Sequence, residues 1–160
     1  MYTENGVVKG VVFEVSNKGK SAKVVSIESL KSNVTYQWNT SAKLYTKLGV
    51  SNADDGSRNQ TIGANKGNPI FTNANLYGTG YYLPAINELV SFNEALPYIK
   101  DKLSAQGVNV NNIGEVWSST EEFNNSAYFA YLYDFNISAI FGIDKAVNAK
   151  VIYIKTINKN

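Results

Sequence analysis

The chain has 160 residues, enough for one domain with a real core, and it contains no cysteine to staple that core covalently. It contains no histidine either, which removes the commonest general base, the Ser-His and Cys-His nucleophile pairs and the commonest zinc ligand. The formal charge is +2 with acids and bases interspersed, and Arg58 is the single arginine, so no clustered basic footprint for nucleic acid is present.

No apolar run reaches the length of a membrane span. The first residues lack the charged start and apolar core of a secretion signal, as a mature domain trimmed from an exported protein also would. The chain is rich in Asn, Tyr, Ser, Thr and Gly and poor in Arg, and these residues suit exposed loops and adaptable aromatic contact surfaces. The sequons at Asn33 and Asn136 read as chance in an Asn-rich chain.

In chain order, VVKGVVFEV at 7–15 and AKVVSIE at 22–28 are β-branched runs separated by Ser16-Asn-Lys-Gly-Lys, which predicts a hairpin. Periodicity fades from Ser29 to Asn75, with short helical candidates near Ala42 to Leu48 and Gln60 to Asn65. So long an irregular stretch implies a functional loop region or one packed by its own side chains. The strongest helix follows Pro84, where Ile86, Leu89, Val90, Leu96, Ile99 and Leu103 keep to one stripe. Pro97 is expected to kink or divide it, and Gly107 to stop it. Strands are predicted over 115–118, 128–135, 138–143 and 151–157, giving a mixed α+β domain that opens and closes on strands.

Residues 81–89, YYLPAINEL, read as a strand end, a proline-started helix and half a capping box. Glu88 stands three residues after Ala85, where the box wants a hydroxyl. A missing cap of that kind costs about 1 kcal/mol. As a catalytic acid Glu88 needs a second polar partner, and the sequence names none. In EVWSSTEEF at 115–123, Trp117 is expected in the core, with Ser118 and Ser119 satisfying a turn rather than acting as nucleophiles. The pairs Asp54-Asp55 and Glu121-Glu122 are adjacent in sequence and seldom face each other across a glycosidic bond, so they read as solvated loop acids. DDGSRN at 54–59 lacks the Asp spacing and distal Glu of a calcium loop, so no metal site is expected. In AYFAYLYDFNISAIFGID at 127–144, alternation puts Tyr128, Ala130 and Leu132 on one face and Phe129, Tyr131, Tyr133 and Phe135 on the other. Such a strand is either buried on both sides or an aromatic contact surface.

GVVFEV at 10–15, Asp55-Gly56, GYYLPAINEL at 80–89 and VWSSTE at 116–121 occur in an order that resembles the Lcl C-terminal domain family, a bacterial C-type-lectin-like group. The resemblance spans nearly the whole chain. It departs from the family's usual pattern at Tyr81, where Trp is common, at Ala85, where Ser is common, and near the closing strand, where Lys155 replaces Arg. The calcium-lectin triplets are absent, and Trp38-Asn39-Thr40 lacks the Asp of the Trp-Asn-Asp motif, which points to calcium-independent binding.

The resemblance implies one C-type-lectin-like domain over 1–160, excised from a larger exported protein. Its expected architecture is an α+β, C-type-lectin-like fold with paired terminal strands, flanking helices and a second small antiparallel sheet. It further implies a secreted or cell-surface recognition or adhesion domain, not an enzyme, binding a glycan or a host or surface protein. No cofactor, nucleic-acid partner or membrane span is expected. The alternative is a structural or assembly domain of a larger surface or pilus-associated protein, packed on neighbouring domains. The aromatic strand supplies the expected ligand-binding residues, Tyr131, Tyr133, Asp134, Phe135, Asn136, Phe141 and Lys145, because Tyr offers stiff amphipathic area while Asn and Asp supply hydrogen bonds.

Overall fold

A computed structural model describes residues 1–158. Two five-stranded sheets and four helices form an α+β architecture. In the first sheet, strands β1 (Tyr2–Glu4), β2 (Val7–Ser16) and β3 (Ser21–Ser26) run as a meander, and β10 (Ile154–Asn158) lies antiparallel beside β3. The short β5 (Tyr81–Tyr82) closes that sheet in the order β1-β2-β3-β10-β5. The closing strand therefore pairs with the second arm of the amino-terminal hairpin. The hairpin turn itself places Asn17, Lys18 and Gly19 at positive φ, the conformation that Asn and Gly adopt most cheaply.

The second sheet has the order β4-β9-β6-β7-β8, from β4 (Thr35–Tyr36), β6 (Glu115–Glu121), β7 (Phe129–Asp134), β8 (Ala139–Asp144) and β9 (Ala149–Lys150). It is antiparallel except at β6 and β9, which meet in parallel at Val116 and Lys150. The β-branched run predicted as one strand over 151–157 is strand only from Ile154: β9 ends at Lys150 in the second sheet, and β10 starts at Ile154 in the first. Between them lie Val151, Ile152 and Tyr153, all buried.

Helix α4 (Ile86–Ala105) is one uninterrupted helix, and Pro97 does not divide it. It ends in a Schellman motif: the Gly107 N–H donates to the Ser104 carbonyl and the Val108 N–H to the Leu103 carbonyl. Gly107, at φ +79°, takes the left-handed position that this stop requires. The predicted helix at 42–48 is only a 3-10 turn at Ser41–Lys43, and the one at 60–65 starts earlier, as α2 (Gly56–Asn65) capped by Asp55. Two short helices, α1 (Ile27–Lys31) and α3 (Pro69–Thr72), complete the set.

Two apolar clusters result. One packs the stripe of α4 (Ile86, Leu89, Phe92, Ile99, Leu103) against Val11, Val25, Ile154 and Tyr133. The other fills the long irregular region, with Trp38, Val50, Ile70, Phe71 and Leu83 around Trp117 and Tyr153. The irregular stretch is thus packed by its own side chains. Strand β7 lies between the clusters, sending Ala130 and Leu132 into the second and Tyr133 into the first. Among the described residues, no helix is long and apolar enough to cross a membrane.

The two sequence motifs meet at the start of α4. Glu88, 2% exposed, accepts from the Ala85 and Gly56 N–H groups at 2.9 Å each and from the Tyr82 hydroxyl at 2.9 Å. Lys23 lies 3.2 Å from its other face of charge. Burial opposes the Lys23 ammonium, but Glu88 and Glu14 outweigh it and hold its pKa above the ordinary lysine value. The hydroxyl that Ala85 cannot supply comes from Thr120, whose Oγ1 accepts the Ile86 N–H at 3.2 Å. Gly56 fits this corner because a Cβ there would strike the Leu83 carbonyl and the Glu88 carboxylate.

Candidate ligand-binding surface

The β7–β8 hairpin projects the sequence-predicted residues in different directions. Phe135 and Asn136 stand in the turn and line a groove of about 510 Å³ against α4. Its apolar floor is Leu96, Pro97, Val110 and Phe135, and its polar groups are the side chains of Asn93, Asn111, Asn136, Ser138 and Lys100. Asn93 Nδ2 donates to Ser138 Oγ at 3.1 Å and ties helix to turn. Pro97 has no N–H to give the Asn93 carbonyl, so one rung of the α4 hydrogen-bond ladder is missing beside the groove. No carboxylate lines this groove.

Asp134 is half-buried and caps the turn by accepting the Asn136 N–H at 2.8 Å. Phe135 is held edge-on between Phe92 and Tyr133, with ring centroids 5.6 and 4.8 Å away. Tyr131 is half-buried with its ring edge-on to Phe123 at 5.6 Å. Phe141, 40% exposed, lies on the outer strand β8. Beside it, Ile137 and Ile140 are 64% and 44% exposed.

Two predicted contact residues lie elsewhere. Tyr133 is 3% exposed and belongs to the core beneath α4. Lys145 is fully buried and turned away from the groove: its Nζ donates to Glu121 Oε1 at 2.7 Å and to the carbonyls of Thr46 and Ser126. It also stands 4.5 Å from the Trp38 ring centroid. Burial pushes the Lys145 pKa down, against the pull of Glu121.

Glu121 is correspondingly no solvated loop acid. It is 1% exposed, and besides Lys145 it accepts the N–H groups of Leu48, Gly49 and Val50. A strand side chain thereby closes the irregular loop onto the second sheet. Ser118 and Ser119 are likewise spent on structure: Ser118 donates to the Tyr131 carbonyl at 2.7 Å and Ser119 accepts from Asn59 at 3.0 Å. Asp55 caps α2, and Asp54 accepts from Asn87.

Sequence reasoning missed the helix side of the groove. The available signal was helical spacing, which puts Asn93, Pro97 and Lys100 on one face of α4. It also missed Ile137 and Ile140, the first exposed in the turn before β8 and the second on β8, the last strand of its sheet.

The α+β fold leaves one groove open between the β7–β8 turn and α4. No protein-family model matches the chain, and no curated protein matches it.

Proposed function

We propose that the chain is a non-enzymatic recognition domain, C-type-lectin-like in descent, that works secreted or at a bacterial surface. Its contact surface is the β7–β8 hairpin with the groove against α4, and its ligand is a glycan or a surface protein. The observation that carries this reading is the groove's lining. Three asparagines, a serine and a lysine line it together with apolar residues that include an aromatic ring. Such a mixture, in a concavity of this size, orients a ligand without reacting with it. The two buried carboxylates, Glu88 and Glu121, spend their lone pairs on N–H groups and lysines, which supports binding over acid–base chemistry. The order of the four sequence motifs supports the lectin-like descent.

The reading is tested with a glycan array and a pull-down from surface extracts, each run with the native chain and with Asn136→Ala/Lys100→Ala. Hits common to the native chain that vanish in the variant, at unchanged melting temperature, are the expected result. Hits that persist unaltered in the variant would move the site off the groove.

A further inference from the structure

Strand β8 is the longest of the four strands that end the two sheets among the described residues. The other three edges are β1, β4 and β5, of three, two and two residues, whereas β8 has six. Short edge strands are a standard guard against unwanted pairing, as are Lys, Pro and bulges. β8 has none of these guards, and from Asn136 to Ile143 the chain carries no charge.

The pairing phase shows which backbone groups are free. The Lys145 N–H donates to the Tyr128 carbonyl, and the Glu122 N–H donates to the Phe129 carbonyl on the opposite side. Even-numbered residues of β7 therefore bond to β8, through the pairs Ala130–Ile143, Leu132–Phe141 and Asp134–Ala139. Ile140 and Gly142 must turn their N–H and C=O groups outward. Residues 140–142 are exposed, and no hydrogen bond within the described residues reaches those outward groups.

The surroundings of that edge are acidic. Glu122 lays its Cγ across Gly142, and Asp144 follows two residues on. Each carboxylate is steadied by a backbone donor, Asn125 N–H and Ala146 N–H respectively. Neither is ion-paired among the described residues.

We infer that β8 receives an extended segment of another polypeptide, in which apolar residues alternate with Lys or Arg, as an added strand. The outward groups of Ile140 and Gly142 would bond its backbone. Ile140 and Phe141 offer apolar contact on opposite faces, and Glu122 and Asp144 meet its positive charges. A second copy of this chain is a poorer occupant: a two-fold pairing centred on Gly142 brings two Glu122 carboxylates together. This inference rests on the reading of the hairpin as a contact surface and gives that surface a peptide ligand.

The test is titration of the isotopically labelled chain with a short, end-blocked peptide alternating valine and lysine, followed by amide exchange. Protection of the Ile140 and Gly142 amides is expected. Ile140→Pro removes one outward donor without touching the β7 ladder and should weaken peptide binding about tenfold, the equivalent of about 1.4 kcal/mol. Ile140→Lys, which keeps the backbone intact and sets a positive charge beside the two carboxylates, should weaken it as well, and Glu122→Gln/Asp144→Asn should flatten its salt dependence. Unprotected amides at saturating peptide, or undiminished binding in both Ile140 variants, would overturn the inference. Protection that grows with protein concentration alone would assign the edge to a second copy and overturn it too. Array hits that survive Ile140→Pro while the peptide fails to bind would remove strand addition and leave the recognition reading standing. A blank array together with no peptide binding would remove both.

Discussion

Lys145 Nζ lies 2.7 Å from Glu121 Oε1, and neither side chain is more than 1% exposed. The ammonium also collects the carbonyls of Thr46 and Ser126, and the carboxylate the N–H groups of residues 48–50. One ion pair thus ties four separate stretches of chain together at the base of the second sheet. A buried charge stripped of its partner is expensive, about 3–5 kcal/mol, whereas replacing both partners by apolar groups is often neutral. Lys145→Met should therefore destabilise by that amount in urea unfolding, and adding Glu121→Leu should recover a part of it. A mild Lys145→Met effect would show that water reaches the pair.

Tyr133 and Phe141 sit on neighbouring strands and should behave oppositely. Removing a buried aromatic side chain costs about 3–5 kcal/mol, so Tyr133→Ala should lower the unfolding midpoint sharply. Phe141→Ala, at a partly exposed edge, should stay within about 1 kcal/mol of the native chain. Circular dichroism melts of the two variants separate the buried core from the exposed edge.

Thr120 Oγ1 accepts the Ile86 N–H and donates to the Asn52 carbonyl. Thr120→Val conserves shape and leaves both groups unsatisfied, at a cost of about 1–3 kcal/mol. Ala85→Ser supplies a local hydroxyl at the helix cap and should return about 1 kcal/mol in the Thr120→Val background. An Ala85→Ser change with no effect in that background would mean that the cap is formed by another group.

Glu4 and Lys155 pair at 2.7 Å and clip β1 to β10 at the margin of the first sheet. Hydrogen bonding from Lys155, then from Tyr2, lowers the Glu4 pKa below 4.5. Burial works against the Lys155 ammonium, but Glu4 and Tyr2 raise its pKa above 10.5. The clip's stability is present above the unfolded carboxyl pKa and is lost as pH falls through the lowered folded value. At the other end, it is lost as pH rises through the raised lysine value. A partly exposed pair is worth about 1 kcal/mol or less. The difference in melting temperature between the native chain and Glu4→Gln should be small at neutral pH and vanish in acid below the Glu4 pKa. A difference that persists there would assign it to packing rather than charge.

The elements with strong local signals were legible in the sequence. The amino-terminal hairpin, the α4 stripe, its Gly107 stop and the hairpin of β7 and β8 all follow from period, turn residues and capping. Functions that depend on partners distant in sequence were not. Thr120 completes a cap 34 residues upstream, and Glu121 and Lys145 pair across a 24-residue separation. Nothing near Glu121 in the chain marks it as buried, since its donors come from the irregular loop at 48–50. The candidate site was half legible for the same reason. Phe135 and Asn136 were found from the strand that carries them, but α4 contributes the facing wall, and only the tertiary fold brings Asn93 and Lys100 opposite the turn. Tyr133 and Lys145 share the aromatic, polar composition of a contact surface, and composition does not reveal on which side of a strand the core lies.

Contact is proposed at the β7–β8 hairpin and the groove beside it. Amide chemical-shift mapping with the strongest binder from the array and pull-down screens tests this most directly. Shifts concentrated at Asn93, Lys100, Asn111 and residues 135–142, with Tyr133 and Lys145 following only weakly, are expected. Shifts centred on the amino-terminal hairpin or the loop at 46–50, with residues 135–142 unmoved, would contradict it.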